Sequence, residues 1–315
     1  MKAYKHARQE MGIQPPKYGY SQESIEIFLK DPEKSYLKKN VLYEQKKSFV
    51  GFIGGPPCPD FSVGGKNKGE SGKNGKLSGT YIDLICDIQP DFFVFENVKG
   101  LWRTKRHREF FEKLKSKLHK RGYVTTEKLV NSIEYGVPQD RDRIILFGVR
   151  KGLIKNIEIS SLDWKKEVKY AKNTVLNIPV DLLKEKFPEL TVHHWFNRNN
   201  VSNHINACDV FVPRAGLAKF KTVKEGDVSK KSYKRLHRHY YSPTACYGNN
   251  EVHIHPFEAR RISAAEALAI QSLPECFSLP KDMTLTDKFK TIGNGVPFLL
   301  SQGIAKTVRL FLEKL

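Results

Sequence analysis

Apolar runs alternate with amphipathic stretches over the first half of the chain, and this alternation predicts a layered fold. Short apolar runs rich in Phe, Val and Ile are typical of buried strands, whereas apolar residues at three- and four-residue spacing indicate helices. The predicted strands are 48–53, 91–98, 124–130 and 144–149, and the predicted helices are 80–88 and 107–121. Strands that alternate with helices favour an α/β fold with a mostly parallel, Rossmann-like sheet.

From about residue 151 the pattern weakens, which predicts a second, irregular domain. Its short runs are separated by loops rich in Lys, Arg, His and Asn. Helical periodicity returns after Ser263, a predicted N-cap with Glu266 three residues later, and a last amphipathic helix follows Pro297. The predicted division is 1–150 for the first domain, 151–255 for the second, and 256–315 for the return to the first.

The net charge of the chain indicates which class of binding partner to expect. The 315 residues contain 54 Lys and Arg against 34 Asp and Glu, a formal net charge of +20. Such a field favours polyanions, so nucleic acid is the expected partner. The five cysteines are scattered and not paired at metal spacing, which predicts reduced thiols, a cytoplasmic protein and no metal. No apolar run is long enough for a membrane span.

Side chains that could take part in catalysis lie at the ends of the predicted strands. Cys58 lies in a proline-rich turn after the first strand, Glu96 ends the second, and Arg141 and Arg143 precede the third apolar strand. Carboxyl ends of parallel strands meet at one edge, so these groups are expected to converge. A thiol beside guanidinium groups can act as a nucleophile, and a carboxyl group can protonate a ring nitrogen. Taken singly, each residue has an ordinary structural explanation.

Together, the motifs resemble those of the C5-cytosine DNA methyltransferases from about Ser48 to the C-terminus. Pro59 and Ala265 depart from the family, which often has Gln and Arg there, but neither change removes a reacting group. The matching stretches, in the family's order, are Gly54–Ser62, Phe95–Val98, Gln139–Arg143, Arg261–Pro274 and Gly293–Pro297.

The resemblance implies a mechanism on a cytosine flipped out of duplex DNA. Cys58 would add to C6, Glu96 would engage N3 and the exocyclic amine, and Arg143 would hold O2. Gln139 and Arg141 would support the loop and pocket. S-adenosylmethionine would donate the methyl group, and residues 151–255 would form the target-recognition domain. The residues implied to contact this cofactor are Pro57, Leu77, Asn294, Gly295 and Val296.

One part of the family pattern is not recognisable. The family's first motif is a strand followed by a Phe-x-Gly-x-Gly turn, whereas residues 1–47 contain only Gly12 and Gly19, neither after an apolar strand. We therefore expect one part of a split or truncated enzyme, with the missing turn on a second polypeptide or upstream in the same gene. The strand at 48–53 would then be an exposed apolar sheet edge.

Two alternative functions stay open at this point. The same motifs occur in a branch that methylates transfer RNA, and a chain with lost catalysis could serve as a DNA-binding subunit. A recognition segment as long as 151–255 favours duplex DNA. The retained Cys58, Glu96, Arg141 and Arg143 favour an active enzyme.

Overall fold

The computed structural model describes residues 36–56, 75–212, 217–245 and 252–315. These form an α/β fold, which confirms the predicted class. The strands are β1 (Gly51–Gly54), β2 (Phe92–Val98), β3 (Tyr123–Asn131), β4 (Asp142–Arg150), β5 (Lys234–Arg235) and β6 (His253–Ile254). The helices are α1 (Tyr36–Glu44), α2 (Gly75–Ile88), α3 (Lys99–Arg103), α4 (Lys105–Lys120), α5 (Lys172–Val175), α6 (Val180–Lys186), α7 (Val192–Arg198), α8 (Leu217–Thr222), α9 (Ala264–Ile270), α10 (Leu285–Asn294) and α11 (Phe298–Leu312).

The described residues divide into two compact units. The sheet unit comprises 36–56, 75–130, 142–166 and 305–315, and the helical unit comprises 131–141, 167–212, 217–245 and 252–304. These bounds differ from the predicted segments 1–150, 151–255 and 256–315. The predicted segments divide the chain by function, and that division stays a prediction.

The main sheet corrects one expectation. Its strand order is β1-β2-β4-β3; β1 is parallel to β2, but β2 is antiparallel to β4. The prediction of a mostly parallel sheet is therefore wrong for the β2–β4 pair. Among the described residues β1 is an edge strand, and its Ile53 is 78% exposed. An exposed apolar edge is a surface on which another strand can pair.

Aromatic side chains fill the core of the sheet unit on both faces of β2 and β4. On one face Phe95 packs against Phe111 of α4, with ring centroids 6.2 Å apart. On the other, Phe147 of β4 meets Phe311 of α11 edge to face at 5.5 Å. Coverage on both faces explains the continuous apolar runs Phe92–Phe95 of β2 and Ile144–Val149 of β4, since neither face of these runs meets water.

The helical unit has its core around α9, whose seven residues are all buried. Ser263 caps this helix: its side chain accepts from the Glu266 amide, and the Glu266 carboxylate accepts from the Ser263 amide. The predicted capping box is therefore confirmed, and it fixes where the helix begins.

Most predicted elements of the first half are also confirmed, with small shifts of their ends. The predicted helix at 107–121 is α4. Its apolar spacing predicts an inward face of Phe110, Phe111, Leu114 and Leu118; the last three are buried and Phe110 is partly buried. The sequence also predicts a helical segment at 21–29 with Ser21 as its N-cap, and that segment lies outside the described residues. No helix in the described ranges combines the length and apolar character required to cross a membrane.

Candidate active site

An ion pair joins β2 and β4 at one end of the sheet. Arg143 lies opposite Val98 in the register, and Glu96 lies opposite Ile145. Glu96 and Arg143 are therefore diagonal neighbours on one face, a spacing that long side chains can bridge. The Arg143 Nε donates to Glu96 Oε1 at 2.7 Å, and both side chains are largely buried. The carboxyl end of β2 meets the amino end of β4, so the two groups converge through antiparallel rather than parallel pairing.

Gly55 brings the end of β1 against this ion pair. Gly54 pairs with Phe95 in the parallel register, which places the next residue beside Glu96. A Cβ atom on Gly55 would lie 2.7 Å from Glu96 Oε2. Only glycine allows this approach of backbone to carboxylate.

A second ion pair lies beside the first and includes the carboxylate of Asp142, the residue before Arg143. Lys99 of α3 pairs with Asp142 Oδ2. The Asp142 backbone carbonyl accepts from Arg143 Nη1 at 2.8 Å. The Lys99 ammonium group therefore balances the charge of the Asp142 carboxylate beside the Glu96–Arg143 pair.

Gln139 lies in a buried pairing between two segments of the helical unit. It forms an isolated bridge with Ser242, and its Oε1 accepts from the Ala245 amide at 3.1 Å. The Thr244 hydroxyl donates to the Asp140 carbonyl at 2.7 Å. Among the described residues, Gln139 Nε2 has no hydrogen-bond partner although it is buried. The side chain thus holds the 242–245 segment in place.

Arg141 acts as an internal brace of the same unit and is 2% exposed. Its Nη1 donates to the Ala245 carbonyl at 3.1 Å, and its Nη2 donates to the carbonyls of Gly293 and Gly295 at 2.9 and 3.0 Å. One planar guanidinium therefore ties the turn after α10 to the segment that ends at Ala245. Arg141 contacts backbone carbonyls, so its geometry is that of a positioning residue.

The turn held by Arg141 carries three of the residues expected at the cofactor. Asn294 and Gly295 are exposed, and Val296 is half-buried. Gln271 also stabilises the turn, because its Nε2 donates to the Ile292 carbonyl at 2.8 Å. An exposed amide on a braced turn suits the polar end of an amino-acid-like ligand, so these residues fit S-adenosylmethionine.

The predicted site residues therefore fall into three groups. Glu96 and Arg143 are joined within the sheet unit, and Leu77 of that unit is 38% exposed. Gln139, Arg141 and the turn residues lie in the helical unit. Pro57 and Cys58 lie outside the described residues.

The sequence analysis missed two contacts at the site. It did not assign Gly55 a contact with Glu96, although the Gly54–Gly55 doublet at a strand end was a visible signal. It also missed Ala245 as the partner of Gln139 and Arg141, and no local motif marks that residue.

The chain is similar to known proteins over most of its length. The family model of C-5 cytosine-specific DNA methylases matches residues 20–309. The Type II methyltransferase M.NmeDI of Neisseria meningitidis serogroup C is 56% identical over 99% of this chain and 76% of its own length. M.FnuDI of Fusobacterium nucleatum, also a Type II methyltransferase, is 31% identical over 92% of this chain and 86% of its length.

Solved structures share the fold at low sequence identity. A prophage-encoded protein of E. coli, described as a DNA modification methyltransferase, superposes with a TM-score of 0.64 at 20% identity and covers 98% of this chain and 90% of its own. The Dnmt2 methyltransferase of S. pombe gives 0.55 at 14% identity, over 86% and 80%. The chain belongs to the C-5 cytosine-specific DNA methylase family, and it is a DNA (cytosine-5)-methyltransferase.

Proposed function

We propose that the chain transfers a methyl group from S-adenosylmethionine to C5 of a cytosine flipped out of duplex DNA, with Cys58 as the nucleophile. The observation that carries the proposal is the buried Glu96–Arg143 pair against Gly55. A flipped base presents its ring edge to such a pair, whereas a stacked base is out of reach.

Chain connectivity keeps Cys58 close to this pair. It follows Gly55 by three residues, so an extended chain can separate the two Cα atoms by no more than about 11 Å. The Cys58 thiolate forms a bond to C6, which makes C5 electron-rich. S-adenosylmethionine supplies the methyl group as an electrophile. The methyl donor would leave as S-adenosylhomocysteine. The C5 proton then passes to solvent water, N3 returns its proton to Glu96, the C5–C6 double bond re-forms, and Cys58 leaves as a thiolate, so the aromatic ring is restored.

Glu96 and Arg143 divide the recognition of the base. Glu96 accepts from the exocyclic amine and delivers a proton to N3, which lowers the barrier to attack at C6. Arg143 donates to O2, the neighbouring acceptor on the same ring edge. Its bond to Glu96 fixes the carboxylate before the base enters, and such preorganisation makes a charged site effective.

The cofactor site includes residues from more than one motif. Asn294, Gly295 and Val296 would contact the cofactor from the turn that Arg141 braces, and Leu77 and Pro57 would contribute apolar surface. The glycine turn of the family remains the missing part, and we keep the hypothesis that a second polypeptide or an upstream segment supplies it. The exposed edge of β1 is compatible with an added strand. Full methyl transfer by the purified 315-residue chain alone would refute this hypothesis.

Residues 151–255 are proposed to read the DNA sequence. One cation–aromatic pair of this segment includes an exposed cation: Lys219 Nζ is 4.7 Å from the ring centroid of the half-buried Tyr233. Such a pair suits phosphate and base contacts. The Type II relatives support a role in a restriction–modification system. A cytoplasmic location stays a prediction.

Methyl transfer from tritiated S-adenosylmethionine tests the proposal. Plasmid duplex and transfer RNA are offered in parallel, to the chain alone and with any partner polypeptide. Label is expected in the duplex, and the Cys58→Ser variant should show none. Label in transfer RNA alone would favour the RNA alternative.

A 5-fluorocytosine duplex, offered with S-adenosylmethionine and any partner polypeptide, provides the second readout. Fluorine at C5 blocks the final proton loss, so the covalent adduct should persist with wild-type chain and be absent with Cys58→Ser. Glu96→Gln keeps the shape of the side chain but loses its acid proton, and it should form adduct far more slowly. No adduct with wild-type chain would favour a non-catalytic DNA-binding subunit.

A further inference from the structure

The connection between α3 and α4 presents a group of exposed cations. The corner patch, as we call it, consists of Arg103, Lys105 and Arg106. In the part of the chain that the structure describes, no carboxylate forms an ion pair with any of the three. Three like charges within four residues repel one another, so the corner carries an unbalanced positive field.

The basic residues that flank the corner patch are neutralised. Lys99 pairs with Asp142, and Arg108 donates to both Glu112 and Glu127 at 2.6 Å. The same short stretch of chain thus contains paired cations that pack against the unit and unpaired cations that face solvent. A lysine-rich composition alone does not explain this separation.

Buried residues on either side hold the corner in place. Leu101 is fully buried and His107 is 3% exposed. Trp102 Nε1 donates to Glu127 Oε1 at 3.0 Å, and the Arg108 guanidinium lies over the Trp102 ring at 5.3 Å. A ligand would therefore meet a preorganised backbone, with little ordering of the chain left to oppose binding.

The corner patch lies near the proposed base pocket within the sheet unit. β2, which carries Glu96, leads directly into α3, whose five residues end at Arg103. Five helical residues rise about 7.5 Å, so with its side chains the patch lies within about 15 Å of Glu96. Successive nucleotides of one strand advance about 3.4 Å along the duplex axis, so this distance corresponds to about four nucleotides.

We propose that the corner patch binds backbone phosphates of the substrate DNA within about four nucleotides of the target cytosine. The inference rests on the proposed function, because it takes duplex DNA as the ligand and the Glu96 pocket as the target position. Phosphate contacts carry no sequence information, but they fix the register of the protein on the duplex. The patch would thus position the flipped base, separately from sequence reading by residues 151–255.

Two matched double variants test the proposal. Lys105→Ala/Arg106→Ala removes two charges from the patch. Lys113→Ala/Lys120→Ala removes two exposed cations of the same helix that also lack ion pairs among the described residues. These control positions lie roughly 12 and 21 Å further along α4. Both variants lower the net charge by the same amount, so only position distinguishes them.

Fluorescence anisotropy measures how binding depends on salt concentration, with a duplex that contains the sequence that the enzyme methylates. Each lost phosphate contact should lower the slope of log K against log salt by about 0.9, so Lys105→Ala/Arg106→Ala should lower it by about 1.8. The control variant should keep the wild-type slope. Equal slopes for the two variants would overturn the proposal.

Two further readouts separate this inference from the proposed function. Ethylation of phosphates within about four nucleotides of the target should interfere with wild-type binding and lose its effect in the patch variant. If the double variant does not fold, Arg103→Gln at the other end of the patch takes its place. This single change removes one phosphate contact and should lower the slope by about 0.9. Absence of methyl transfer by the wild-type chain in the presence of any partner polypeptide would refute the function, whereas an unchanged slope refutes only the patch.

Discussion

Gly55→Ala offers a direct test of the geometry at the end of β1. The added Cβ would lie 2.7 Å from Glu96 Oε2. A comfortable carbon–oxygen contact is roughly 3.4 Å, so the carboxylate must retreat by about 0.7 Å. Glu96 is already bonded to Arg143 at 2.7 Å, and that movement would disturb the bond. A displacement approaching 1 Å at reacting groups costs on the order of 100-fold in rate.

We therefore expect Gly55→Ala to lower kcat by roughly 100-fold, while the free energy of unfolding changes by less than about 1 kcal/mol because a side-chain end can move. Single-turnover methyl transfer and urea unfolding measure the two quantities. Gly79→Ala in α2 is the control, since its Cβ meets nothing within 4 Å. A Gly55→Ala enzyme within threefold of wild type would refute the contact between β1 and Glu96.

Three other predictions concern the helical unit. Arg141→Lys loses the planar fork that joins three carbonyls, so the KM for S-adenosylmethionine should rise more than about tenfold with kcat nearly unchanged; a fall in kcat alone would contradict the bracing role. Burial lowers the pKa of His253 to about 3. Below about pH 6.5 the unfolded chain therefore binds a proton that the folded chain does not bind, so the free energy of unfolding decreases as the pH is lowered. Between pH 7 and 5 this loss should be about 2 kcal/mol larger for wild type than for His253→Asn in urea unfolding; equal losses would show that His253 is not buried as a neutral group. Gly303→Ala would place a Cβ 2.4 Å from the buried Tyr135 ring and should cost about 1–3 kcal/mol of unfolding free energy, and a neutral effect would show that the ring can move.

Much of the sheet unit could be predicted because apolar periodicity depends on local burial. The runs that became β2 and β4 were visible, as was the inward face of α4. The direction of β4 was not, because α3, α4 and β3 separate it from β2 and no local signal records where a later strand inserts. Glu96 and Arg143 were predicted to converge, but through parallel strands. Parallel pairing would place the carboxyl end of β2 and the amino end of β4 at opposite ends of the sheet, and the antiparallel pairing brings the two residues together.

Long-range contacts account for most of what the sequence did not reveal. Arg141 and Arg143 are two residues apart and share a motif, yet one braces a turn in the helical unit and the other holds Glu96. The resemblance implied that Arg143 holds the base and Arg141 supports the pocket, but it did not indicate which groups Arg141 contacts. Their different partners depend on Ala245, Gly293 and Gly295, residues that are 104 to 154 positions away from Arg141.

The register of β2 and β4 also has an evolutionary consequence. The acid and the guanidinium are aligned by backbone hydrogen bonds between two strands, and no loop residue sets their separation. Insertions, deletions or exchanges in the segment 151–255 would leave that alignment intact. Under the proposed role of residues 151–255, a lineage can acquire new target sequences by replacing that segment while it inherits the chemistry unaltered.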